Sequence, residues 1–181
     1  MIVIQFITID GVVEDPDGFD RTPFGGWAMR QGPEGVAGDK FRLGEIMNTG
    51  VLLFGRRTWD HFSALWPNRK GGFADLMNAA TKAVATRRPV DVTTWSNSTA
   101  VEGELIDWVN ATRTDRDVVV IGSGSVVVRL ASAGLVDEYR LLTFPDAVGA
   151  GRRLFSSPVR LTLTASEQVG PATLAIYSVG G

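Results

Sequence analysis

Val51-Leu52-Leu53-Phe54-Gly55-Arg56-Arg57-Thr58-Trp59 is the stretch that decides the fold. Its four leading apolar residues read as a short buried strand, and Gly55 marks an abrupt exit from it. Thr58-Trp59-Asp60-His61-Phe62 then carries apolar residues at helical spacing, predicting a helix over Thr58–Leu65 that ends at Trp66-Pro67. A strand passing through glycine into a helix leaves unpaired backbone N–H groups and a positive dipole end at the turn. Arg56, Arg57 and the Thr58 hydroxyl stand at the same point, a combination suited to a phosphate.

Working outward, strands and helices alternate. Ile2–Ile9 reads as a strand and Asp10–Gly38 as a long loop rich in Gly, Pro and Asp. Asp39–Thr49 reads as a helix with Leu43, Ile46 and Met47 on one face. Phe73–Ala80 is a short helix, Lys82–Thr86 a strand, Thr93–Ala100 another, and Glu102–Thr112 a helix with Leu105, Ile106 and Val109 inward. Val118–Ile121 is a fully apolar strand feeding a helix over Ser125–Ala133. After Gly134 come Tyr139–Phe144 and an expected antiparallel pair, Arg160–Ala165 with Leu174–Val179. This order predicts an α/β fold: one mainly parallel central sheet covered by helices on both faces, with an antiparallel C-terminal edge. Ligands of such sheets bind at the carboxyl ends of the strands, where the turns at Ile9, Gly55, Thr86 and Gly122 would converge.

Composition sets bounds. A chain of 181 residues, with 44% hydrophobic and 21% charged residues, suits one globular domain, residues 1–181. The net charge of −2 gives no broad attraction for nucleic acid or an anionic membrane, so neither is expected as a partner. Cysteine is absent, which removes disulfide scaffolds, cysteine-based zinc sites and thiol nucleophiles. The sole histidine, His61, cannot build a zinc site, and no metal is expected. Met1–Ile7 lacks a basic leader and a small-residue cleavage site and is too short to span a bilayer. A cytoplasmic protein is the expectation.

Two further turns carry chemistry. Gly122-Ser123-Gly124-Ser125 follows Val118–Ile121 and opens a helix; small residues there let the backbone approach a pyrophosphate. The same residues also suit a plain strand–helix turn, and Val127 occupies the last glycine position of the dinucleotide fingerprint. Thr86-Arg87-Arg88 ends a strand with a hydroxyl and two guanidinium groups. These could clamp a 2′-phosphate and so select NADPH over NADH, or form a solvated basic turn. Among the tryptophans, Trp27 in the long loop is the candidate lid residue.

Taken in order, the pieces resemble the dihydrofolate reductase-like superfamily, in the branch that shares the reductase domain of riboflavin biosynthesis. They are Thr8-Ile9-Asp10-Gly11-Val12-Val13, Leu53-Phe54-Gly55-Arg56-Arg57-Thr58-Trp59, Trp66-Pro67, Lys82-Ala83-Val84-Ala85-Thr86-Arg87, Ile121-Gly122-Ser123-Gly124-Ser125, Ala133-Gly134-Leu135-Val136-Asp137-Glu138, and Gly149-Ala150-Gly151-Arg152-Arg153-Leu154-Phe155. The resemblance implies a three-layer α/β/α fold and NADPH as hydride donor. It puts Gly55, Arg56, Arg57 and Thr58 at the cofactor phosphates, and Thr86 with Arg87 beside the adenosine. Gly122, Ser123, Gly124 and Ser125 would cover the pyrophosphate, and Val13 would line the nicotinamide. A homodimer is possible on the same ground.

Three proton sources fit the sequence. Asp39 would share a helix face with Leu43, Ile46 and Met47, and a carboxyl in an apolar cleft has a raised pKa and can polarise an imine. Aspartate at a helix start also serves simply as a cap. Asp10 is the rival, with an ordinary Asp-Gly turn as its alternative reading, and water is a third donor. Folate reductases of this superfamily carry an arginine for the glutamate tail just before the third strand, where this chain has Asp75–Thr81 without one. The expected function is therefore NADPH-dependent reduction of a small heterocyclic or imine substrate, resembling 5-amino-6-(5-phosphoribosylamino)uracil reduction. The alternative is a non-catalytic nucleotide-binding or interaction protein that retains the fold.

Overall fold

The computed structural model describes residues 1–180. Eight strands are formed: β1 (Ile2–Thr8), β2 (Val51–Gly55), β3 (Thr81–Ala85), β4 (Ser98–Ala100), β5 (Val118–Ile121), β6 (Glu138–Phe144), β7 (Leu161–Val169) and β8 (Ala172–Val179). They run in the order β4-β3-β2-β5-β1-β6-β8-β7. The helices are α1 (Ile46–Thr49), α2 (Arg56–Leu65), α3 (Phe73–Ala79), α4 (Leu105–Thr112) and α5 (Gly124–Ser132). The α/β sheet with an antiparallel edge is the fold the alternating pattern predicts. The chain divides into two compact units: Met1–Val3 with Arg42–Val136, and Ile4–Phe41 with the segment from Asp137 onward.

In the first unit β4, β3, β2 and β5 are all parallel. Every residue of β2 is buried, as continuous apolar strands are when both sheet faces are covered. Phe54 of β2 packs against Phe62 of α2 and against Trp95, each at 5.7 Å between ring centroids. Burying an aromatic of this kind contributes roughly 2–3 kcal/mol. β2 pairs Gly55 with Ala85 of β3 and Leu53 with Val120 of β5. The turns that leave these three strands therefore lie side by side along one end of the sheet.

One charged side chain is buried in this unit. Lys82 of β3 is fully enclosed, and its ammonium donates to the carbonyls of Met77 (2.9 Å), Asn78 (3.1 Å) and Ala80 (2.5 Å). It also lies 4.6 Å from the centroid of the Trp95 ring. The lysine thus satisfies carbonyls at the end of α3 that no further helical turn would reach. Burial lowers its pKa to about 8, against the pull of those three carbonyls toward the charged form.

In the second unit, β8 pairs antiparallel with β6 and with β7, with Leu142 opposite Leu174 and Leu161 opposite Val179. Trp27, Leu142, Phe144, Val169, Ala172 and Leu174 form its core. Trp27 is completely buried and its indole N–H donates to the Glu14 carbonyl at 3.0 Å, so it is a core residue and not a lid. The long loop is itself ordered by Asp15. That carboxylate accepts from the Asp20 N–H (2.8 Å), the Thr22 N–H (2.9 Å) and the Thr22 hydroxyl (2.8 Å).

Several boundaries differ from the sequence reading, each for a local reason. The helix expected over Asp39–Thr49 shrinks to Ile46–Thr49, because Arg42 (φ 55°) and Gly44 (φ 53°) adopt left-handed conformations that no α-helix accepts. Asp39 therefore shares no helical face with Leu43, Ile46 and Met47. Helix α2 starts at Arg56, two residues early, which puts both arginines in its first turn. Thr93–Ala100 resolves into a 3₁₀ turn, Val92–Thr94, and the short strand β4. The last two strands are longer than expected and meet at a tight turn where Gly170 has φ 60°.

Candidate functional site

The Gly55 and Gly122–Ser125 turns, far apart in sequence, meet at the carboxyl ends of β2 and β5. The buried Gly55 N–H donates to the Ser123 hydroxyl at 2.7 Å, and that hydroxyl donates to the Ile121 carbonyl at 2.9 Å. Pairing between β2 and β5 is registered only as far as Leu53 with Val120. The serine side chain thus supplies a bond where the backbones diverge. A Cβ added to Gly55 would lie 3.2 Å from both Ser123 Cβ and Val126 Cγ2, and one on Gly122 would lie 3.3 Å from Thr58 Cγ2. Only glycine permits this approach without displacement. Gly122 (φ 59°) and Ser123 (φ 56°) are both left-handed, which turns the chain sharply between β5 and α5.

The two helices that start here present their N-termini without side-chain caps: none bonds the first turn of α2 from Gly55, or that of α5 from Ser123. Helix ends of this kind supply N–H donors and a positive dipole to an anion. Thr58 is half-buried, and Ser125 is exposed at the start of α5. The group that would sit here is a phosphate or pyrophosphate, and the residues present fit it: two glycines without Cβ, uncapped helix N-termini and flanking guanidinium groups.

The basic side chains divide into different states. Arg56 is anchored: its Nε donates to both Asp60 carboxylate oxygens (2.8 and 2.9 Å), and one terminal nitrogen donates to the Pro89 carbonyl at 2.6 Å. Arg87 is exposed and makes no hydrogen bond or ion pair among the described residues. Arg57 is also exposed. The Thr86 hydroxyl is occupied within its own turn, donating to the Arg88 carbonyl at 2.9 Å and accepting from the Arg88 N–H at 3.1 Å. Sequence reasoning missed Asp60 and Pro89 as partners of Arg56. The i, i+4 spacing of Arg56 and Asp60 is the signal that could have found the first.

In the second unit, Asp10 anchors a neighbouring segment. One carboxylate oxygen accepts from the Thr8 hydroxyl at 2.5 Å and from the Val148 N–H at 3.4 Å, and the other accepts from the Gly149 N–H at 2.8 Å. The Thr8 hydroxyl, then the Gly149 N–H, holds its pKa below the usual carboxylate value. An ionised acceptor with its lone pairs in use is a poor proton donor. Val13 is buried, and its N–H donates to the Arg152 carbonyl at 3.0 Å; Leu154 returns an N–H to Gly11 at 3.0 Å. The Gly149–Phe155 motif is thereby laced along the Thr8–Glu14 loop. Asp39 lies half-buried in an irregular stretch. Among the described residues, no group of three or more His, Asp or Glu side chains is arranged to hold a metal ion, and no helix is long and apolar enough to cross a membrane.

Comparison with solved structures supports the fold. A protein of Shewanella sp. PV-4 assigned to riboflavin biosynthesis superposes with a TM-score of 0.74 at 19% identity, covering 99% of this chain and 98% of that one. Two forms of Acinetobacter baumannii RibD superpose with TM-scores of 0.67 and 0.65 at 14% identity. This chain is covered to 99% in both, but spans only 58% and 57% of theirs. No curated protein sequence matches. The model of the RibD C-terminal domain matches residues 1–175, nearly the whole chain, and this chain belongs to that family.

Proposed function

We propose that this chain is an NADPH-dependent reductase of a small heterocyclic or imine substrate, of the kind that reduces 5-amino-6-(5-phosphoribosylamino)uracil. The observation that carries the reading is the contact of the two phosphate turns, Gly55 against Ser123 and Thr58 against Gly122. Membership of the RibD C-terminal domain family supports the reaction class. When bound, NADPH supplies a hydride to the substrate carbon. The chain's own part is to hold the pyrophosphate on the N–H groups of α2 and α5 and to attract the 2′-phosphate with Arg87. In the second unit, Asp10 keeps the Val12–Val13 backbone in place beside the Gly149–Phe155 segment. Asp39 is the remaining candidate acid, with water as its rival. Consumption of NADPH with a panel of pyrimidine and pterin substrates, in wild type and Asp39→Asn, tests this reading. Oxidation by no member of the panel would sink the reductase assignment.

A second reading, a nucleotide-binding protein without turnover, has one observation in its favour. Of the two candidate acids, Asp10 is committed as a hydrogen-bond acceptor and Asp39 lacks the helix face that would have placed it in an apolar setting. Saturable NADPH binding without turnover on any substrate is the result that selects it.

A further inference from the structure

We infer that Asp60 is a positioning residue for cofactor selectivity. It holds Arg56 against the Pro89 carbonyl and so fixes the turn that presents Arg87; the inference rests on the NADPH reading above. Arg56 is a strut between α2 and this turn: Asp60 grips its Nε edge, and a terminal nitrogen reaches Pro89 at 2.6 Å. A groove of about 270 Å³ runs alongside, with Arg56, Asp60 and Ser63 on one wall and Val90, Asp91 and Thr94 on the other.

The turn is otherwise well defined within itself. Thr86 closes its near end through Arg88, and Asp91 closes the far end by accepting from the Thr93 N–H (3.0 Å) and hydroxyl (2.6 Å). Loss of the strut removes the turn's tie to α2. Arg87 rides on the turn, exposed and with no hydrogen-bond or ion-pair partner among the described residues. Arg56, by contrast, shares its charge with a carboxylate at 2.8 Å, which leaves little net attraction for a phosphate. Selectivity then comes from Arg87, and Asp60 acts through Arg56 and Pro89 on where Arg87 stands.

The sign of the effect separates this from simple electrostatics. Removing a carboxylate beside an arginine raises the local positive charge and by itself would tighten NADPH binding. Loss of positioning loosens it. NADPH and NADH dissociation constants are to be measured for wild type, Asp60→Asn, Asp60→Glu and Arg87→Gln. The expected result is a fall in the NADPH-over-NADH preference of about fivefold in Asp60→Asn, the upper end for an exposed ion pair. NADH affinity should be nearly unchanged, and Asp60→Glu should restore the preference. An unchanged or increased preference in Asp60→Asn overturns the inference while leaving the NADPH reading intact. A wild type that binds neither nucleotide overturns that reading, and this inference with it.

Discussion

Ser123→Ala separates the turns after β2 and β5 with the smallest chemical change available. The serine hydroxyl is the acceptor for the buried Gly55 N–H at 2.7 Å and itself bonds the Ile121 carbonyl. Alanine keeps the left-handed backbone at φ 56° as well as serine does, so the perturbation is confined to these two bonds. Leaving a buried donor unsatisfied costs about 1–3 kcal/mol. For a domain of this size each kcal/mol lowers Tm by about 2–4 °C. The variant should therefore unfold several degrees below wild type in a thermal melt. The same loss should appear in NADPH titration, since the N-termini of α2 and α5 are no longer stitched together, at about tenfold in Kd for each 1.4 kcal/mol. Ser132→Ala, exposed at the far end of α5, is the control and should fall within about 0.5 kcal/mol of wild type. A Ser123→Ala protein with wild-type Tm and NADPH affinity would refute the reasoning.

Other expectations follow from the same geometry. Lys82→Met leaves the Met77 and Ala80 carbonyls without their buried donor and should destabilise by about 2–5 kcal/mol. Its pH dependence is diagnostic. With the folded pKa lowered to about 8, the unfolded chain binds more protons between about pH 8 and 10.5, so wild-type stability should rise across that window relative to Lys82→Met. Parallel stability-versus-pH curves from urea melts would contradict this. Asp10→Asn should leave the acid limb of any pH–rate profile unmoved, because the carboxylate is ionised throughout the assay range. It should lower kcat through the loosened Val148–Gly149 segment; a lost acid limb would instead make Asp10 the proton donor.

How much of this was legible in the sequence depends on whether the signal was local. The turns at Gly55 and Gly122 were, because a glycine that ends a buried apolar run and is followed by helical spacing signals a turn, and the parallel order follows from strands separated by helices. Their mutual contact was not, since it depends on the Ser123 hydroxyl replacing a ladder bond. The start of α2 lies two residues before the expected one because Arg56 and Arg57 carry no capping signature, and its N-terminus is uncapped. The helix expected over Asp39–Thr49 is interrupted by the left-handed Arg42 and Gly44, which apolar spacing does not register. Trp27 sits in a loop by sequence, yet that loop is packed into a core and braced by Asp15. Lys82 reads as the polar first residue of a strand, and nothing nearby announces that its ammonium closes α3.

The central claim is that the paired turns of β2 and β5 form a dinucleotide site with Arg87 at its selective end. Titration of the purified chain with NADPH and NADH, followed by tryptophan fluorescence or calorimetry and repeated for Arg87→Gln, tests it most directly. The account predicts saturable binding with NADPH preferred, and a preference largely abolished in Arg87→Gln while NADH affinity is retained. Absence of binding by either nucleotide, or equal affinity for both in the wild type, would contradict it.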